Sequence, residues 1–169
     1  MLKLKNISST RKIYVESDYY LPIKIRFENS NNMTEPRHCW GISGLNKNFL
    51  FEIAIGEMTG DVKYIALVSS PKVLREMPST PENIKTEIGL PSFEIQEWSR
   101  DDYYTKETLD FNVYLKENCV FIVLLPYTIE YKIINDRVVF GFDKNNFLCS
   151  IEVKNINQKE VAILSENLA

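Results

Sequence analysis

The sequence predicts a mainly β protein in which antiparallel, hairpin-rich sheets form a sandwich or a curved sheet and one C-terminal α-helix closes the fold, with an α+β arrangement as the alternative. Three observations predict this class. Apolar and polar residues alternate over several short runs, turn-forming Gly, Asn and Asp separate these runs, and apolar residues at helical spacing end the chain. Because 169 residues suffice for a substantial core, residues 1–169 are expected to be a single domain.

The first half of the chain predicts several strands. In Leu21–Phe27 apolar residues alternate with Lys and Arg, which is typical of a half-buried strand, and Ile13–Val15 is expected to add a short one. Residues 49–55 and 62–68 predict a hairpin, because the intervening residues 56–61 contain two glycines that allow a tight turn.

The middle of the chain is less regular. Thr80–Asn83 indicates a brief helix with proline in its first turn, and Ser92–Trp98 indicates a strand. Ser99–Thr108 is polar and is expected to lie outside the strands. Residues 28–36 have the composition of an exposed loop, and whether that loop takes part in binding is left open.

The region 110–154 is predicted to form a meander of five strands, each paired with the next, and to be the core of the fold. Its centre, Cys119–Leu125, is an unbroken apolar run, so this strand is expected to be covered on both faces. Turns are predicted at Asn135-Asp136 and at 143–146, because Asn and Asp accept left-handed backbone conformations.

The last element is an amphipathic helix over 157–168. Asn157 is suited to the N-cap position, and Glu160 follows three residues later, which completes a capping-box pattern. Val161, Leu164 and Leu168 then recur at helical spacing and indicate the buried face.

Composition argues against secretion and membrane insertion. Apolar residues make up 44% of the chain and charged residues 25%, which are ordinary globular values. The N-terminal segment has no apolar signal region, and the longest apolar run is far shorter than a bilayer span. Three scattered cysteines suit a reducing compartment. The protein is therefore expected to be cytoplasmic and without membrane contact, and its oligomeric state is left open.

Catalytic, metal and cofactor sites are not indicated. His38 and Cys39 are adjacent, and neighbours in a strand point to opposite faces, so they are interpreted as the start of a packed strand with His38 near its exposed end. The sequence lacks a zinc-ligand spacing and a phosphate-binding glycine loop. A small N-terminal basic cluster lacks interleaved aromatic residues, so direct nucleic-acid binding is not expected.

Charge is unevenly distributed and indicates one candidate binding region. The net charge is +4 for residues 1–75, −6 for 76–110 and −1 for 111–169. The acidic middle also contains aromatic residues, and acids beside aromatic anchors suit a basic protein partner. An acidic loop whose aromatics pack on the core is the alternative. The predicted partner-binding residues are Glu94, Glu97, Trp98, Asp101, Asp102, Tyr103, Tyr104 and Glu107.

The layout of the chain resembles that of bacterial immunity proteins, the cytosolic antidotes of contact-dependent or secreted polymorphic toxins. The resemblance covers most of the chain and concerns the order of short segments. These are Trp40-Gly41-Ile42, a hairpin with Gly56 and Gly60, Leu90-Pro91-x-Phe93 before Trp98, Asp110-Phe111-x-Val113, and Gly141-Phe142-Asp143 before Ile151-x-Val153.

This resemblance implies a non-enzymatic protein that binds one cognate toxin domain, often a nuclease, and blocks its active site. A basic toxin would fit the acidic middle of the chain. The alternative is a β-sandwich module that binds a small molecule or a carbohydrate through exposed aromatics, namely Tyr19, Tyr20, Tyr103 and Tyr104. A deep apolar pocket would favour that alternative.

Overall fold

A computed structural model describes residues 1–29, 35–44, 50–69, 73–79, 83–95, 103–126 and 128–167. The protein is mainly β with one C-terminal helix, as predicted. The strands of the first part are β1 (Leu4–Ser8), β2 (Ile13–Glu16), β3 (Ile23–Phe27), β4 (Arg37–Ser43), β5 (Leu50–Gly56), β6 (Val62–Ser69) and β7 (Lys85–Ile88). They are followed by β8 (Leu90–Phe93), β9 (Tyr104–Thr108), β10 (Asn112–Lys116), β11 (Cys119–Val123), β12 (Tyr131–Asn135), β13 (Val138–Phe142), β14 (Leu148–Val153) and the helix α1 (Gln158–Asn167).

Two six-stranded sheets repeat one strand order. The first sheet runs β2-β3-β6-β5-β4-β9, and the second runs β10-β11-β14-β13-β12-β7. In each sheet, five successive antiparallel strands are arranged first-second-fifth-fourth-third, and a parallel strand is added beside the third. The two added strands are exchanged between the sheets. Strand β7 follows the five successive strands of the first sheet but joins the second sheet, and β9 precedes the five of the second sheet but joins the first. A separate pair, β1 and β8, is antiparallel.

The predicted meander of sequential pairings is wrong at one step. The core strand β11 pairs with β14, and β12 pairs with β13 and β7. This is a Greek-key arrangement, in which the strand after a long connection returns beside a distant one. Hairpin turns were readable because their Asn and Asp residues are local, whereas the pairing of β11 with β14 is set by burial of both strands. The prediction that this strand is covered on both faces is confirmed for Val120, Phe121 and Ile122.

The inner faces of the two sheets share one apolar core. Phe51 of the first sheet and Phe140 of the second are fully buried and belong to the same cluster. Phe27 reaches across to Phe140, with ring centroids 6.1 Å apart. Burial of each such side chain contributes about 1.5 to 3 kcal/mol, so this common core is what holds the sheets together.

The helix α1 begins at the predicted cap. The backbone N–H of Glu160 donates to Asn157 Oδ1 at 2.9 Å, and the backbone N–H of Asn157 donates to Glu160 Oε2 at 2.7 Å. This reciprocal pair is the capping box, which satisfies two backbone donors that the first helical turn leaves unpaired. Leu164 is fully buried, as the helical spacing predicted.

Equivalent hairpins of the two sheets are closed by different means. At the β13–β14 turn, Asp143 Oδ1 accepts the backbone N–H groups of Asn145 and Phe147, each at 2.8 Å. At the β5–β6 turn, the acceptor is Glu35, which lies more than twenty residues earlier and accepts from Met58, Thr59 and Lys63. The β5–β6 hairpin is therefore tied to a distant part of the chain, whereas the β13–β14 hairpin is held by a residue of its own turn.

Other predictions are corrected by the strand positions. The polar segment 99–108 contains β9, which pairs along β4, and its polar side chains concealed this strand. The strand predicted over Ser92–Trp98 is observed as β8 at Leu90–Phe93. The predicted hairpin of β5 and β6 is confirmed. The helix predicted at Thr80–Asn83 lies largely outside the described residues.

Candidate functional site

Half of the predicted partner-binding residues lie outside the described residues, namely Glu97, Trp98, Asp101 and Asp102. Of the others, Glu94 forms an ion pair with Lys3 at 3.6 Å. Tyr103 is 65% exposed. The role of these side chains in partner binding stays a prediction.

The strand β9 sends the remaining two residues to opposite faces of the first sheet. Tyr104 lies on the outer face, and Glu107 lies on the inner face beside Trp40, because side chains alternate along a strand. Trp40 Nε1 donates to Glu107 Oε1 at 2.8 Å, and the amino group of Met1 also pairs with that oxygen. The carboxylate of Glu107 is thus engaged within the chain, and the structure does not bring it to the same surface as Tyr104.

The outer face of the first sheet carries tyrosines and cations around a centre of small side chains. We call this surface the first-sheet face and define it by residues that share the outward register of strands β2–β6 and β9. They are Tyr14, Glu16, Lys24, Arg26, Arg37, Cys39, Gly41, Glu52, Ala54, Tyr64, Ala66, Tyr104 and Lys106. Its four cations exceed its two carboxylates, although the whole chain is acidic.

Two tyrosine rings of this face each contact two cations. Lys24 Nζ lies 4.5 Å and the Arg37 guanidinium 5.5 Å from the centre of the Tyr64 ring. The Arg26 guanidinium lies 5.9 Å from the Tyr14 ring, and Lys12, at the border of the face, lies 5.1 Å from the same ring. Each cation over a ring contributes about 0.5 to 1 kcal/mol at an exposed site, so these contacts pre-organise the long side chains.

A shallow depression lies between the two tyrosines. It has a volume of about 340 Å³, and both tyrosines and both arginines of the face line it. Arg26 pairs with Glu16. Arg37 is exposed. Glu28, Glu35 and Lys63 also line the depression, so a partner side chain that enters it would meet groups of both charges beside the two phenol rings, which suits an aromatic group with a polar edge.

The opposite end of the face is shaped by Gly41. The ring of Tyr104 lies directly over this glycine, so a Cβ there would overlap the phenol. Burial raises the pKa of Tyr104 to about 12, and the nearby charge of Glu52, with which it is hydrogen bonded, adds to this shift. Tyr104 is therefore neutral at physiological pH and held by Glu52, so the face has a fixed aromatic at its β9 edge.

Cys39 lies between Tyr104, its register partner in β9, and Tyr64. Its Sγ lies 3.4 Å from the hydroxyl of Tyr64. Burial raises the pKa of Tyr64, and the hydrogen bond and charge of Cys39 add to the effect. The hydroxyl of Tyr64 is therefore protonated and uncharged at physiological pH.

The prediction that His38 lies near an exposed strand end is wrong. His38 is buried, with Nε2 2.7 Å from Thr105 Oγ1. The parallel strand β9 covers it, and that strand was not predicted. Cys39 points to the outer face, so the two side chains do not form a catalytic pair, as expected from their alternation.

The outer face of the second sheet is apolar in its middle. Tyr114, Phe121 and Val123 lie there, with Leu125 and Ile129 from the following connection and Cys149. They surround a cavity of about 470 Å³, which we call the second-sheet cavity. The exposed tyrosines of the small-molecule alternative do not line it: Tyr19 and Tyr20 form an edge-to-face pair with a centroid distance of 5.4 Å, and Tyr103 is exposed elsewhere.

Sequence reasoning missed the first-sheet face because its members come from six strands. The outward direction of Lys24 and Arg26 was readable from alternation. Tyr64 becomes their neighbour only through the pairing of β3 with β6, and Arg37 reaches Tyr64 only through the pairings of β6 with β5 and of β5 with β4. Positive charge in residues 1–75 was the available signal.

Among the described residues, no group of three or more His, Cys, Asp or Glu side chains is placed to hold a metal ion. In the same part of the chain, no helix has the length and apolarity needed to cross a bilayer. Neither a protein-family model nor a curated protein matches the sequence.

Proposed function

We propose that this protein is a non-enzymatic immunity protein, which binds a cognate toxin domain, blocks its active site and contacts it through the first-sheet face. The class of partner comes from the resemblance in segment order. The contact surface comes from the geometry of the first sheet. The observation that carries the proposal is the gathering of three tyrosines and two arginines on one exposed sheet face.

This composition supports a protein partner. Tyr and Arg are enriched among the residues that dominate protein–protein binding energy, because they bury large area with few rotatable bonds and retain polar ends. Cation contacts hold Tyr14 and Tyr64 in place, and Tyr104 is held by Glu52. A pre-organised face loses less entropy on binding than a mobile one.

The charge of the face favours a different toxin surface from the basic one that the acidic middle of the chain predicts. An excess of cations favours a toxin surface that carries carboxylates, since complementary potentials accelerate association. The expectation of a basic toxin came from the acidic middle of the chain, residues 76–110, and two of the carboxylates there, Glu94 and Glu107, are engaged within the chain. Asp101 and Asp102 lie outside the described residues, and their part in partner binding stays a prediction.

Co-expression with the product of the open reading frame that neighbours this gene, which the proposal expects to be the toxin, tests the proposal. The variant combines Arg37→Ala with Tyr64→Ala, and Lys116→Ala, an exposed cation on the outer face of the second sheet, is its matched control. Wild type and control are expected to protect cells. The double variant should fail, because truncating hot-spot residues costs about 2 kcal/mol each, or roughly thirtyfold in affinity per residue.

Binding of the purified proteins distinguishes a lost contact from a lost fold. Circular dichroism of the double variant should match wild type, and thermal unfolding should stay one cooperative transition at a slightly lower temperature, because two cation–ring contacts are lost. Calorimetry should show the loss of affinity. A folded double variant that binds and protects like wild type would overturn the contact surface. A wild-type protein that neither binds nor protects would overturn the immunity function itself.

A further inference from the structure

The second sheet has an apolar outer face that solvent-facing sheets normally lack. In antiparallel sheets with one exposed face, outward residues are usually polar. Here Phe121 is only 5% exposed although it points away from the common core, and Val123 and Tyr114 are half-buried beside it. Chain segments therefore cover this face.

Backbone hydrogen bonds fix the two covering segments. Leu74 donates its N–H to Val113 O at 2.9 Å, and its carbonyl accepts the N–H of Leu115 at 3.0 Å. On the other side, the N–H groups of Leu124 and Leu125 both donate to Cys149 O, at 2.8 and 3.2 Å. Leu74 thus extends the edge of the sheet beside β10, and its segment continues to the lining residues Pro78 and Ser79. Leu124 and Leu125 attach the other segment to β14.

Gly141 lets the segment that contains Leu125 and Ile129 lie close to the sheet. A Cβ at this position would overlap Ser150 Oγ and would lie 3.1 Å from Ile129 Cδ1. Ile129 and Ser150 both line the cavity. The missing side chain therefore allows a close wall on one side, while the cavity of about 470 Å³ stays within the usual range of small-molecule sites, about 300 to 1,000 Å³.

The lining is uncharged in the part of the chain that the structure describes. Apolar and aromatic groups predominate, and the polar groups are the Asn112 amide with the hydroxyls of Ser79, Tyr114, Thr128 and Ser150. Burial raises the pKa of the Cys149 thiol to about 12, so this group also is neutral at physiological pH. A charged ligand would lose its hydration here without gaining a counter-charge.

We infer that the second-sheet cavity is a binding site for an uncharged, mainly apolar small molecule that makes one or two hydrogen bonds to the Asn112 amide or the Ser150 hydroxyl. This site is separate from the first-sheet face, and the inference stands whether or not a toxin is the partner. Apolar side chains would supply most of the affinity, and the few polar groups would set the ligand's orientation.

A matched pair of fluorescent probes tests the charge rule. N-phenyl-1-naphthylamine is neutral, and 8-anilino-1-naphthalenesulfonate has the same ring skeleton with an added sulfonate. The neutral probe should bind the full-length protein saturably at one site. Desolvating an unpaired sulfonate costs several kcal/mol, so the anionic probe should bind at least about tenfold more weakly.

Two variants test the location. Val123→Phe fills the cavity from the sheet, and Asn112→Trp, at an exposed lining residue, narrows its mouth with little risk to folding. The control Ile88→Phe adds the same ring at an exposed position of β7. Both cavity variants should weaken the neutral probe at least about tenfold, the effect of losing about 1.4 kcal/mol, whereas the control should bind like wild type.

Thermal unfolding checks that each variant is folded. Equal binding of the two probes, no saturable binding of the neutral probe, or wild-type affinity in a folded Asn112→Trp variant would each overturn the inference. If Val123→Phe fails to fold, the result with Asn112→Trp decides alone.

Discussion

The outer faces of the two six-stranded sheets differ in charge and in covering, although the strands beneath them follow the same order. The first-sheet face is open and presents tyrosines held by cations. The second is overlaid by connecting segments that leave a cavity, and the described residues that line this cavity are uncharged. One architecture thus carries two different outer surfaces, because strand pairing is set by the inner faces and leaves the outward residues free to differ.

The inner faces should behave as one unit. Phe51→Ala in the first sheet and Phe140→Ala in the second each leave a cavity in the common core and should destabilise the protein by about 3 to 5 kcal/mol. Urea denaturation followed by fluorescence and circular dichroism should give one coincident transition for both variants. Separate transitions for the two sheets would show that they are independent units.

Substituting the acceptor carboxylates of the β5–β6 and β13–β14 hairpins should lower the free energy of unfolding by different amounts. Glu35 receives only donors, including Lys63 Nζ at 2.5 Å, so Glu35→Gln turns an amide N–H₂ toward some of them and should destabilise the protein by about 1.5 to 3 kcal/mol. Asp143→Asn keeps the oxygen that accepts both backbone N–H groups, so its cost should be smaller. Urea denaturation at neutral pH measures both, and a larger loss for Asp143→Asn would contradict this comparison.

The contribution of Glu35 should also depend on pH in a defined direction. Burial by itself raises the pKa of this carboxyl, but hydrogen bonds from Lys63, Thr59 and the backbone of Met58 outweigh it and lower the pKa. Its stabilising effect is therefore present above the unfolded-state pKa and is lost as pH falls through the lower folded-state pKa. The stability difference between wild type and Glu35→Gln should shrink over that acidic window, and a difference that grows there would refute the assignment.

A smaller effect is expected at the β9 edge of the first-sheet face. Gly41→Ala places a methyl group under Tyr104 and should displace the ring from Glu52, at a cost of about 1 kcal/mol, the value of one hydrogen bond. Gly141→Ala makes the equivalent change in the second sheet, against Ser150 and Ile129. Gly41→Ala should weaken toxin binding and leave the neutral probe's affinity unchanged, and Gly141→Ala should do the reverse. Isothermal titration of each variant with the toxin and with the neutral probe measures both affinities. Identical effects of the two variants on these affinities would contradict the separation of the two surfaces.

Much of the fold could be predicted from local patterns. Alternation along β3 and β5, the Gly-containing turn between β5 and β6, and the capping box of Asn157 and Glu160 each act over a few residues, so their physics is visible in the sequence. The pairing of β11 with β14 was not visible, since it depends on which buried strands meet across a long connection.

The candidate site was harder to predict than the fold. The acidic region around Tyr103 and Tyr104 was predicted as a binding site because its residues are adjacent in the chain. Strand β9, however, places Tyr104 and Glu107 on opposite faces of the first sheet. Tyr64 and Arg37 are distant in sequence and meet only through strand pairing. Adjacency in sequence is a weak guide to a site built on a sheet, where neighbours across strands decide the surface.

In the proposed complex the first-sheet face, and not the outer face of the second sheet, contacts the toxin. Arg37→Glu and Lys116→Glu reverse one exposed cation on each face and change the net charge equally. Stopped-flow association with the toxin at low and high salt should show Arg37→Glu at least about tenfold slower at low salt, with the difference reduced at high salt, and Lys116→Glu close to wild type. Equal slowing by both variants, or slowing by Lys116→Glu alone, would contradict the claim.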